Sequence, residues 1–137
     1  MQSKLIQYIT DLVAINSVNP DLSTDGQGER EIAQYVHEHF LSLGIDSKID
    51  TVFGDRCNTT ALLKGEDSNK ILLLNGHLDT VGIEGMDVPF TIRKDGDRLY
   101  GRGTYDMLAG CAIQMCLAKH FVEHSSPVSL AFTFVCD

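Results

Sequence analysis

The segment Lys70-Ile71-Leu72-Leu73-Leu74-Asn75-Gly76-His77-Leu78-Asp79-Thr80-Val81 joins an apolar run to a turn carrying a histidine and an aspartate. Lys70 to Asn75 is short, apolar and bounded by turn formers, the pattern of a strand buried on both faces of a sheet. Upstream, the period is helical. Leu5, Ile6, Ile9, Leu12 and Val13 mark a helix that Ser3 can cap and that runs to about Ile15. Ile32, Ala33, Val36, Phe40 and Leu43 mark a second from Glu29 to Leu43, stopped by Gly44, with Glu29 and Glu31 suiting its N-terminal dipole. Ile45–Val52 and Asn58–Lys64 read as strands. Downstream, Val88–Arg93 and Arg98–Tyr100 flank a hairpin turn at Lys94-Asp95-Gly96-Asp97. A helix from Asp106 or Met107 to about His124 precedes a final strand, Val128–Cys136. These elements predict an α/β fold, with a mostly parallel central sheet flanked by helices on its faces. In such sheets functional residues collect at the carboxyl ends of the strands, which directs attention to His77.

The chain has 137 residues, enough for one ordinary domain. A composition of 43% hydrophobic and 22% charged residues excludes disorder and collagen. No apolar run approaches the roughly 20 residues that span a bilayer. A net charge of −8 argues against a nucleic-acid or anionic-membrane surface. Cys57, Cys111, Cys116 and Cys136 show no C-x-x-C spacing and read as buried free thiols. With a polar, amphipathic N-terminus in place of a signal peptide, they point to the cytoplasm. Val128 to Asp137 is the most strand-like stretch, and nothing follows it to close the fold.

Three candidates stand out chemically, the first of them a pair. In an extended backbone His77 and Asp79 point to one side, so the carboxylate can orient the imidazole of a metal ligand. The competing reading is a polar turn with Asp79 capping local N–H groups. Asp106 follows Tyr100-Gly101-Arg102-Gly103 where a helix begins, and can either cap that helix or present a metal ligand. Asp137, at the end of the last strand, would arrive on the same sheet edge as His77. A rival is His120-Phe121-Val122-Glu123-His124, which fits the H-x-x-E-H pattern of zinc metallopeptidases. Its histidines lie at the far end of a helix roughly 27 Å long, with little chain left for a third ligand. His37 and His39 diverge on their helix and read as surface or rim residues.

Taken in order, Gly76-His77-Leu78-Asp79-Thr80-Val81, Tyr100-Gly101-Arg102-Gly103 and Asp106-Met107 resemble the aminoacylase, carboxypeptidase G and acetylornithine deacetylase family of dinuclear zinc hydrolases. Asn16-Ser17-Val18-Asn19-Pro20 is similar to that family's N-terminal segment. Leu108-Ala109-Gly110 departs from its usual Lys-Gly-Gly. The resemblance implies that His77 is a zinc ligand, that Asp79 is an active-site carboxylate orienting it, and that Asp106 bridges two zinc ions, for which Co²⁺ or Mn²⁺ could substitute. It implies a Glu-Glu pair after Asp137, general base then ligand.

Residues 1–137 are then the N-terminal part of a catalytic domain, without its C-terminal part or the dimerisation domain. The expected activity is hydrolysis of the amide bond of an N-acyl amino acid or small peptide, as in acetylornithine deacetylase and succinyl-diaminopimelate desuccinylase. The fragment itself is expected to be inactive and the full-length protein a homodimer, with neither nucleic acid nor membrane as partner. A binding module that retains the fold, or an H-x-x-E-H metallopeptidase, are the alternatives.

Overall fold

A computed structural model describes residues 2–136, so Asp137 lies outside the described residues. In chain order the elements are α1 (Gln2–Ala14), α2 (Arg30–Ser42), β1 (Asp46–Phe53), β2 (Arg56–Leu63), β3 (Asp67–His77), β4 (Arg93–Asp95), β5 (Arg98–Tyr100), α3 (Leu108–His124) and β6 (Val128–Val135). Four strands form one sheet in the order β1-β2-β6-β3, and β4 and β5 pair as a separate hairpin.

The fold is α/β, but its sheet is mixed, which corrects the expectation of mostly parallel strands. β1 pairs with β2, and β2 with β6, antiparallel; β3 pairs with β6 in parallel. The connections explain this. Gly54 (φ 53°) and Asp55 alone separate β1 from β2, and so short a turn joins only antiparallel neighbours. Between β3 and β6 the chain crosses over through α3, as a parallel pair requires.

The expected burial of Lys70–Asn75 on both faces is also corrected. β3 is an edge strand, and Ile71, Leu72 and Leu73 are 61%, 54% and 60% exposed. The last strand, which the sequence leaves bare, is instead flanked on both sides by β2 and β3. An apolar run reports a preference for burial, whereas strand order depends on pairings distant in sequence.

Helices cover one face of the sheet. Leu130, Phe132 and Phe134 of β6 are buried there with Phe40 of α2, and the Phe40 ring centroid lies 5.1 Å from Phe132 and 5.7 Å from Phe134. Leu12 and Val13 of α1 and Leu108, Ala112 and Met115 of α3 complete the core. Leu62, Ile71 and Leu73 remain exposed, Leu62 and Leu73 through the alternation of β2 and β3 about buried Ala61 and half-buried Leu74. Ser3 lies inside α1 rather than capping it. Glu29 stands at the N-cap of α2 but makes no side-chain cap bond. All four cysteines are free, Cys57 and Cys111 buried. Among the described residues no helix is long and apolar enough to cross a membrane.

His39 is packed rather than peripheral. Its ring meets Tyr8 edge-on at 4.8 Å and Phe40 at 5.6 Å, and its Nε2 is buried without a hydrogen-bond partner. Burial holds its pKa below the usual value, against the Met115 carbonyl and with the help of Lys119. A depressed histidine pKa means that the unfolded state takes the proton first. Stability is therefore complete above about pH 6.5 and declines as the pH falls below it. Urea midpoints of His39→Phe between pH 5 and 7.5 are expected to fall less steeply than those of the parent; parallel curves would assign the acid sensitivity elsewhere.

Candidate metal centre

β3 delivers His77 to the carboxyl edge of the sheet. The close approach of α3 requires Gly76 just before it: a Cβ there would stand 2.9 Å from Gln114 Nε2 and 3.2 Å from Cys111 Sγ. The Cys111 thiol donates to the His77 carbonyl at 3.2 Å, and burial pushes its pKa up to about 12, so it stays protonated. Beyond His77, the Leu78 amide still donates to Val135 O at 2.9 Å. Thr80 then pairs with Val18: Thr80 N–H donates to Ser17 O at 2.9 Å and Asn19 N–H to Thr80 O at 2.8 Å. The segment between α1 and α2 is thereby clamped against the histidine turn.

His77 and Asp79 lie together as their alternation predicts. His77 Nδ1 is 3.0 Å from the Asp79 carbonyl and 3.3 Å from Asp79 Oδ1, and Asp79 is buried. Asp106 comes from the loop between β5 and α3. Gly103 (φ 77°) turns that loop so tightly that a Cβ would stand 2.8 Å from both Leu108 and Thr80. The Asp106–Met107 peptide bond is cis. α3 begins at Leu108 with Met107 at its N-cap, and no side chain caps it. Asp106 therefore does not serve as the cap; its Oδ1 lies 2.9 Å from His77 Nε2.

Both ring nitrogens of His77 thus face oxygen acceptors. A neutral imidazole has one N–H and can satisfy only one side. Burial disfavours the charged ring, but Asp106 and then the Asp79 carbonyl and carboxylate outweigh it, and the His77 pKa is raised. The pair calls for a positive charge between Nε2 and Asp106, supplied by a second proton or by a cation. An imidazole nitrogen and a carboxylate oxygen are donors suited to a zinc-type ion. Among the described residues no set of three or more His, Cys, Asp or Glu side chains converges to hold a metal.

The site opens on a cleft of about 720 Å³ lined by Asn19, Asp21, His77, Asp79, Arg102 and Asp106, among others. Beneath it runs a polar chain that the sequence did not disclose. Arg56 Nε reaches both oxygens of fully buried Glu29, at 2.9 and 2.6 Å. Its Nη1 donates to Asn19 Oδ1 at 3.2 Å and to Asp21 Oδ2 at 3.1 Å, and Asn19 Nδ2 donates to Asp79 Oδ2 at 3.2 Å. In the sequence Glu29 stands at a helix start and Arg56 just after the Gly54-Asp55 turn, 27 residues apart.

The rival histidines are elsewhere. His120 and His124 stack at 4.4 Å in the last turn of α3, with His124 Nδ1 2.9 Å from the His120 carbonyl. His37 Nδ1 lies 3.0 Å from Ser47 Oγ on β1.

The model of peptidase family M20/M25/M40 matches residues 73–137, a range containing His77, Asp79 and Asp106. Over these residues the chain is similar to this family. Among the relatives of this chain, a probable succinyl-diaminopimelate desuccinylase of Staphylococcus aureus is 32% identical over 80% of the chain and 26% of its own length. An uncharacterized metallohydrolase of Methanocaldococcus jannaschii is 33% identical over 96% of the chain and 36% of its own length. The chain therefore spans about a quarter to a third of these relatives. Its fold is shared with human carnosine dipeptidase 1, at a TM-score of 0.79, 18% identity, and coverage of 98% of this chain and 32% of that one. It is also shared with a Staphylococcus aureus tripeptidase, at a TM-score of 0.73, 24% identity, and coverage of 98% and 36%.

Proposed function

We propose that residues 1–137 are the N-terminal part of the catalytic domain of a metal-dependent hydrolase that cleaves the C–N amide bond of N-acyl amino acids or small peptides. The observation that carries this reading is the direction taken by Asp106: it leaves α3 uncapped and meets His77 Nε2 at 2.9 Å. The relatives named as desuccinylase and metallohydrolase support it.

His77 Nε2 and the Asp106 carboxylate would hold the metal, two ions in the complete site under this reading. Zinc suits these donors, and Co²⁺ or Mn²⁺ could replace it. Such an ion, when bound, acidifies water and stabilises an oxyanion. Asp79 keeps the proton of His77 on Nδ1 and so leaves the Nε2 lone pair facing Asp106. The cleft beside Arg102 and Asp21 receives the substrate. The proton-accepting base and the remaining ligands belong to the rest of the domain. Two donors fall short of the about four that a zinc ion takes, so residues 1–137 alone are expected to be inactive.

The test is hydrolysis of N-succinyl and N-acetyl amino acids and of dipeptides by the protein expressed from its complete reading frame. Turnover is expected to vanish on chelation and return with Zn²⁺, Co²⁺ or Mn²⁺. Turnover indifferent to the chelator, or full activity in residues 1–137 alone, would overturn the reading.

A further inference from the structure

We infer that Asn19, held by the Arg56–Glu29 ion pair, is a positioning residue: it sets Asp79 so that the His77 ring is locked in the tautomer that offers Nε2 to a metal. The inference rests on the reading of His77 and Asp106 as metal ligands.

The orientation of the Asn19 amide is decided by its neighbours. Arg56 Nη1 and the Asp21 amide can only donate, and they lie 3.2 and 2.9 Å from one end of the Asn19 side chain. That end is therefore the carbonyl oxygen, and the NH₂ end is aimed at Asp79 Oδ2, at 3.2 Å. With Oδ2 engaged, Asp79 presents Oδ1 to His77 Nδ1 at 3.3 Å, beside its own carbonyl at 3.0 Å. Nδ1 then faces only acceptors and keeps its proton.

The far end of the chain is rigid. The Arg56 side chain is 11% exposed, and its Nε is gripped by both oxygens of Glu29, whose side chain is 0% exposed. Charge alternates along the path: Glu29 negative, Arg56 positive, Asn19 neutral, Asp79 negative, His77 next to the metal position. A buried ion pair is weak support for stability, because apolar residues of similar volume do as well. Its connection through one amide to the carboxylate that orients the histidine gives it a use in the site.

The deciding variant is Asn19→Asp in the full-length protein. It is isosteric, keeps an acceptor for Arg56 and Asp21, and removes the donor to Asp79. The backbone bond from Asn19 N–H to Thr80 O is retained. In metal-free protein with ¹⁵N-labelled histidine, the His77 signals are assigned by their loss in His77→Gln. The parent is expected to keep Nδ1 protonated throughout, whether or not Nε2 carries a second proton, and Asn19→Asp to show a fraction of rings with Nδ1 bare. Zinc affinity is expected to fall about tenfold, the low end of the effect of groups that orient ligating imidazoles. kcat should fall in step while KM changes less than twofold. A merely structural role predicts that the isostere keeps one tautomer and the parental affinity, and that result overturns the inference. Should Asn19→Asp fail to fold by circular dichroism, Asn19→Ala carries the same comparison. Failure of the underlying reading looks different: His77→Gln itself would then leave zinc affinity unchanged.

Discussion

Replacing His77 with alanine is expected to lower kcat/KM for amide hydrolysis by the full-length protein about 10³-fold or more. The estimate follows from what the ring does under the proposed function. It supplies a neutral nitrogen donor beside Asp106, and a Lewis-acidic ion contributes several kcal/mol to a developing oxyanion. Losing about 4 kcal/mol of that stabilisation corresponds to three decades in rate. The variant should remain folded, because the His77 side chain is 27% exposed and lies at the edge of the cleft. Zinc content by atomic absorption should fall with the rate. His120→Ala, at the far end of α3, should leave both unchanged. A His77→Ala enzyme within tenfold of the parent, or a His120→Ala enzyme that loses zinc, would sink the assignment.

Glu29→Gln should destabilise the protein by about 3 kcal/mol in urea unfolding. Removing one partner of a buried ion pair leaves the other charge uncompensated and costs about 3–5 kcal/mol. The low end applies because Arg56 keeps Asp21 at 3.1 Å, although the Asp21 side chain is 76% exposed and well solvated. In a marginally stable protein that is a large fraction of the total. Adding Arg56→Met to Glu29→Gln removes the charge that Glu29 balances and should restore part of the loss. A single variant within about 0.5 kcal/mol of the parent would mean that Glu29 behaves as a surface residue.

The local chemistry of the site was legible early. His77 and Asp79 meet because alternation in an extended backbone is a property of adjacent residues, and Asp79 sits 3.3 Å from the ring as that alternation requires. Asp106 was ambiguous, since aspartate before a helix is among the best caps. Its place against His77 Nε2, with the helix starting at Leu108, rules out the cap. The pairing of Glu29 with Arg56 stayed hidden for the same reason. A charge at a helix start and a charge after a turn are ordinary when read one at a time; their 2.6 Å contact is a fact about two distant segments.

Helices, strands and the histidine turn were written in residue type and period, because local sterics and local burial choose them. Strand order was not. The run Ile71–Leu73 has the composition of a central strand yet occupies an edge, while β6 takes the centre. The two-residue link at Gly54-Asp55 turned one pair antiparallel, and the α3 crossover kept another parallel. Pairing joins residues dozens of positions apart, and the free energy that selects among such pairings is shared over the whole core, with Phe40, Phe132 and Phe134 at its centre. The donors of the site follow from neighbours in the chain; their convergence, and the buried Glu29–Arg56–Asn19 chain that holds them, arise only when the segments pack.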